Sequence, residues 1–257
     1  MTSYPVDDFP RQTGETPPPT PYGGVRWGAR EIVIGSVAVL ISLFVFLAIT
    51  SAILAAIGYD SDSAEALVAQ VITSLIWDIG IVFIVYKLVS SRGASWRDLG
   101  LRPLQRWSLP GVIVLGYVGA VFLVQAYGLA LDALGLDDLL PDQQLPDEIY
   151  SHDGILIGFA IAGVTIVPFA EELFFRGFFF AGLRRRLGFV LAALISGFVF
   201  SLAHADPGLI IPFTGVGMVL SYTYERTGSL YAPIGMHILF NLVSFLVLIL
   251  IPEARNN

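Results

Sequence analysis

A helix crossing the hydrocarbon layer of a bilayer needs about 20 apolar residues, and this chain supplies such runs repeatedly. They lie at about 31–57, 66–89, 109–131, 154–183, 189–205, 209–224 and 230–251. Backbone polar groups in lipid must be bonded within their own segment, so the runs predict helices. The expected fold is therefore all-α, a polytopic transmembrane helical bundle of seven spans. The count becomes eight if the long fourth run splits near Pro168, where the ring removes a backbone donor. Composition agrees: 55% of the 257 residues are hydrophobic and 14% charged, against about a quarter charged in soluble domains. Mean hydropathy is +0.75.

The first 28 residues differ. "TGETPPPTPYGG" is rich in Pro, Gly and Thr and cannot bury a core, which predicts a disordered cytoplasmic tail. Residues 29–252 then form the bundle. A late, long apolar start does not suit a cleaved secretory signal. The chain has no cysteine, which excludes thiolate metal sites and a cysteine nucleophile. With a net charge of −7 and no recurring basic face, no nucleic-acid partner is expected.

Loop charges set an orientation. Lys87, Arg92, Arg97, Arg102 and Arg106 follow the second run, and Arg184, Arg185 and Arg186 follow the fourth. The loops holding Asp60, Asp62 and Glu65, and running from Asp132 to Asp153, are acidic. Basic residues gather on the cytoplasmic side, so the amino terminus is expected inside a cell membrane. "SWRDLGLRP" reads as a short amphipathic helix at the inner surface.

Ionisable groups within a bilayer cost roughly 2.5–3.5 kcal/mol each on insertion scales and usually mark function. Here they are few: Glu171, Glu172 and Arg176 in the fourth run, His204 at the end of the fifth, and His237 with Asn241 in the seventh. Asp78 and Gln125 stand alone in the second and third, and neither enters the expected site. Glu172 and Arg176, four residues apart, share a helix face and can pair. Glu171 is rotated by about 100° from Glu172 and is left free for chemistry. His237 and Asn241 share one face, as do Phe200 and His204, where the phenylalanine can wall one side of the imidazole. Phe200 is otherwise packing, His152 is expected to be solvated, and Asp206–Pro207 marks a turn.

A free carboxylate, two imidazoles, an amide and a guanidinium make a poor apolar core but a sensible water-activating cavity. A carboxylate can take a proton from a water that a histidine holds. A second histidine and an amide can stabilise an oxyanion. Two histidines and a glutamate (Glu171, His204 and His237) are also an accepted catalytic zinc set, although no HExxH occurs. Zinc and metal-free glutamate–histidine activation both remain open at this point.

Three motifs in this order resemble those of the CPBP intramembrane proteases, which include the CAAX prenyl endopeptidase (Rce1-type) and bacterial Abi proteins linked to bacteriocin immunity. "EELFFR" resembles EExxxR at Glu171, Glu172 and Arg176; "FSLAH" resembles FxxxH at Phe200 and His204; "HILFN" resembles HxxxN at His237 and Asn241. The flanking "FFRG" and "YERTGSLYAPIGMH" are similar too. The resemblance covers about residues 150–245, the motif-bearing core; the earlier runs are alike only in hydrophobicity. It implies Glu171 as general base, His204 as its partner on the water, and His237 with Asn241 as oxyanion stabilisers. Glu172 and Arg176 would be structural or orienting. The substrate implied is a membrane-associated protein or peptide. Two other classes use the same residues: a non-enzymatic peptide-binding or immunity protein, and a proton-coupled transporter.

Overall fold

The computed structural model describes residues 25–60, 63–104, 108–141, 149 and 153–250. Among them every long element is helical: α1 (Ala29–Ile57), α2 (Ala64–Ser90), α3 (Leu109–Leu134), α4 (Asp153–Val164), α5 (Ile166–Glu172), a π-helical segment (Leu173–Phe180), α6 (Ala181–Leu202), α7 (Ile210–Thr227) and α8 (Tyr231–Leu250). Most of the tail expected at the amino terminus, and His152, lie outside the described residues. Val25 and Trp27, which composition assigns to that tail, are buried instead. The Trp27 indole N–H donates to the Phe178 carbonyl at 2.8 Å, tying the start of α1 to the π-helical segment.

Gly154–Leu202 is a 49-residue helical tract that two backbone breaks divide. The first falls at Thr165 (φ −125°, ψ −78°), three residues before the proline expected to cause it. A proline ring clashes with the carbonyl four residues earlier. The chain therefore leaves helical geometry ahead of Pro168, which then sits in the first turn of α5, where an absent N–H costs nothing. The second is Gly188 (φ 73°, ψ 175°), a left-handed conformation that glycine adopts without a Cβ penalty. It separates the fourth and fifth apolar runs.

Among the described residues five helices are long and apolar enough to cross a bilayer: α1, α2, α3, the broken tract and α8. Dividing the tract at Gly188 makes six among the described residues; the seven or eight expected from the runs are not confirmed. The run at 209–224 became α7, an 18-residue helix whose Thr214, Ser221, Thr223, Glu225 and Arg226 make it too polar to qualify. The outer surface is apolar, as lipid contact demands: Phe44, Leu115 and Phe122 are 67%, 73% and 74% exposed.

The stretch at 95–103 is not the amphipathic helix expected. Asp98 Oδ2 accepts from the Ser95 backbone N–H and hydroxyl, both at 2.8 Å, which favours a turn over a helix. Gly100 has φ +97°. This turn is clamped beneath α7 and α8: Tyr224 Oη donates to Leu99 O at 3.1 Å, Arg102 Nε to Gly228 O at 2.7 Å, and Leu230 N to Gly100 O at 2.8 Å.

The core is aromatic. Phe174, Phe175, Phe178, Phe179 and Phe180 of the π-helical segment are buried together with Phe200 of α6. α6 and α7 approach backbone to backbone at Gly197 and Gly217. A Cβ on Gly197 would stand 2.5 Å from Thr214 O, and one on Gly217 2.6 Å from the Gly197 Cα. Gly197→Ala should therefore separate the helices and cost about 1–3 kcal/mol, the usual range for overpacking. A lowered melting temperature in detergent would check it.

Candidate active site

The π-helical segment begins where the paired acids end, and irregular turns of this kind are common at functional sites. Glu172 and Arg176 are completely buried. Arg176 Nη1 donates to Glu172 Oε1 at 2.7 Å, the intrahelical pair expected from their spacing. The guanidinium also lies 4.4 Å from the centre of the Phe200 ring, and Nη2 reaches towards Gly217 O at 3.4 Å. One cation thus ties three elements together.

The pair reaches α8 as well. His237 Nδ1 lies 2.9 Å from Glu172 Oε1. A carboxylate only accepts hydrogen bonds, so Nδ1 carries a proton and Nε2 lies on the opposite side of the ring. That Nε2 is 3.8 Å from Glu171 Oε2. His204 is fixed by the same logic: Nδ1 lies 2.9 Å from the Phe200 carbonyl, which can only accept, so Nε2 is the free nitrogen. The His204 ring meets Phe200 and Phe213 edge-on, each at 4.7 Å between centres, and Phe200 also packs 5.9 Å from His237. The wall expected of Phe200 is therefore present, and Phe213 forms a second one. Nothing in the sequence around Phe213 marks it.

Glu171, His204, His237 and Asn241 line one cavity of about 90 Å³. A water needs about 10–15 Å³ on this measure, so the space admits several waters or a peptide group. Glu171 Oε2 and Glu172 Oε2 are both buried without a hydrogen-bond partner among the described residues, but Glu172 Oε1 is doubly engaged and Glu171 is the one of the two that lines the cavity. Asn241 Nδ2 donates to Gly163 O at 2.8 Å, close to the Thr165 break. One of its two amide hydrogens therefore fastens α8 to α4. Asn241→Ala should cost roughly 0.6–1.7 kcal/mol, the range for interhelical hydrogen bonds in lipid, and lower the melting temperature accordingly.

Asp78, left outside the expected site, is buried in α2 at 3% exposure, near enough to Glu171 for their charges to interact. Its isolation in an apolar run was the available signal. The zinc set left open by the sequence does not assemble: no three His, Asp or Glu side chains gather at ligand spacing among the described residues. Glu172, which holds one histidine, is itself held by Arg176, and the other histidine is held by its own helix.

Residues 153–243 match the family described as type II CAAX prenyl endopeptidase Rce1-like, and they contain all three motifs. The motif-bearing core is thus similar to the CPBP intramembrane proteases. Among curated relatives, "Putative membrane peptidase YdiL" of Bacillus subtilis is 31% identical over 96 residues, 37% of this chain and 38% of its own length. "Membrane-embedded CAAX protease MroQ" of Staphylococcus aureus is 35% identical over 98 residues, 35% of this chain and 40% of its own length. The match thus spans about two-fifths of these relatives. No solved structure matches significantly. With its apolar helices, this CPBP-like core sits in a multi-pass membrane protein.

Proposed function

We propose that this chain is an intramembrane endopeptidase that hydrolyses membrane-associated proteins or peptides with a water activated by Glu171. The single observation carrying the proposal is the buried, unpartnered Glu171 Oε2 facing a cavity shared with His204 and His237. Its twin Glu172 is locked by Arg176 and His237, so the two acids have different jobs.

Glu171 takes one proton from the water while the His204 Nε2 lone pair accepts a hydrogen bond from the other. The hydroxide so formed attacks the scissile carbonyl. Because the His237 Nδ1 proton is engaged by Glu172, oxyanion stabilisation by this residue requires a second proton, on Nε2. The remaining amide hydrogen of Asn241 is a further donor. Glu171 then returns its proton to the leaving amine, which completes hydrolysis.

The amino terminus is assigned to the cytoplasm from the basic loops. MroQ is named a CAAX protease; whether prenylated chains are cut here depends on whether the host makes them. The test is cleavage of candidate membrane peptides by purified protein, with Glu171→Gln beside it. Loss of cleavage supports the proposal. Processing or toxin protection that survives the change belongs to a binding protein instead.

A further inference from the structure

A second pocket is unlike the first in character. It has a volume of about 360 Å³ and is lined by Arg26, Arg30, Arg92, Arg185 and Arg186, with Glu31 as its one acid. Three separate stretches of chain deliver these arginines to one place. Gly93, at φ +68°, turns the chain after α2 so tightly that a Cβ there would stand 3.1 Å from Arg26 Nη1. Arg186 reaches Gly28, where a Cβ would lie 3.8 Å from Nη2. Glu31 answers one cation by pairing with Arg92. Arg185 donates to the Val25 carbonyl. Arg26, Arg30 and Arg186 have no carboxylate partner among the described residues.

Guanidinium groups crowded together repel one another and match the oxygens of a phosphate in fork geometry. Surface positive charge of topogenic origin is spread along loops and does not require a pocket. The helix below identifies the source of the phosphate. Arg30, Val33, Ile34, Val37 and Ile41 follow one face of α1 at helical spacing, and the four apolar members are 60%, 45%, 48% and 58% exposed. A cationic basin whose Arg30 heads an exposed apolar stripe on the same helix suits an amphiphile: headgroup above, chain beneath. Basic pockets between membrane helices hold anionic headgroups by this means.

We propose that this pocket binds the phosphate of an anionic phospholipid, with an acyl chain lying along the Val33–Val37–Ile41 face. The site is independent of the proteolytic assignment. It joins the catalytic helix through Trp27, which follows Arg26 and donates to Phe178 of the π-helical segment.

The experiment compares full-length protein in nanodiscs of phosphatidylcholine with and without phosphatidylglycerol, reading lipid retention by native mass spectrometry and thermal stability. Retention of phosphatidylglycerol should fall at least ten-fold in the triple variant Arg26→Gln, Arg30→Gln, Arg186→Gln. Arg186→Gln alone, a change at an exposed side chain, should lose about five-fold, since a juxtamembrane cation near an anionic surface contributes on the order of 1 kcal/mol. The charge-matched variant Lys87→Gln, Arg97→Gln, Arg226→Gln should retain the lipid as the unmodified chain does. Equal loss in both triple variants would mean diffuse attraction and overturn the site. A third arm adds soluble glycerol phosphate to protein in phosphatidylcholine alone. If it reproduces the stabilisation at millimolar concentration, the phosphate site stands and its lipid source is overturned.

Discussion

Glu171→Gln should lower peptide cleavage by about 10²–10⁴-fold, the usual contribution of a general base, while leaving the melting temperature nearly unchanged. The substitution keeps size and polarity and removes only the ability to take a proton. The fold should tolerate it because Glu171 Oε2 has no hydrogen-bond partner among the described residues; it stands 3.8 Å from His237 Nε2, and the side chain is 21% exposed. The Glu172–Arg176–His237 chain stays whole. The two acids, adjacent in sequence, therefore give opposite signatures, activity loss with stability kept for Glu171 and stability loss for Glu172. Single-turnover cleavage and a thermal melt on the same preparation measure both. Glu171→Gln protein that cleaves at the normal rate removes this carboxylate from the chemistry.

Much of this was legible before any coordinates. The Glu172–Arg176 pair follows from four-residue spacing on a helix and is found at 2.7 Å. The isolation of Glu171 follows from its rotation away from that face. Convergence of His204, His237 and Asn241 on the same cavity could be expected only because unpaired polar groups in lipid must find each other. Local spacing carries no information about partners on other helices. Hence Asp78 stayed outside the site although burial brings it near Glu171, and Phe213 was invisible. Spacing could not show that Asn241 binds Gly163, because that carbonyl becomes available only through the break at Thr165. The count of spans is legible only coarsely for a similar reason. Hydropathy runs measure composition, and α7 carries Ser221, Thr223, Glu225, Arg226 and Thr227 in its last turns, which lower its average.

Arg176→Met should be the most damaging single change. It leaves Glu172 completely buried with its cation gone, and removing one partner of a buried ion pair typically costs about 3–5 kcal/mol. Against a total stability of roughly 5–15 kcal/mol, that is enough to deplete folded protein in the membrane. The lost contacts extend further, since the guanidinium also packs on Phe200 and approaches Gly217. The double variant Glu172→Leu, Arg176→Met separates the two consequences. With both charges gone, no uncompensated ion is buried, and apolar replacement of a buried pair is often neutral or stabilising. Most of the stability should return. Activity should not, because His237 loses the carboxylate that holds its Nδ1 proton, and the ring no longer presents Nε2 to Glu171 in a fixed direction. Detergent melts and cleavage rates of the two single variants and the double complete the cycle. Recovery of both stability and turnover in the double would show that Glu172 holds the helices together and does nothing for the orientation of His237.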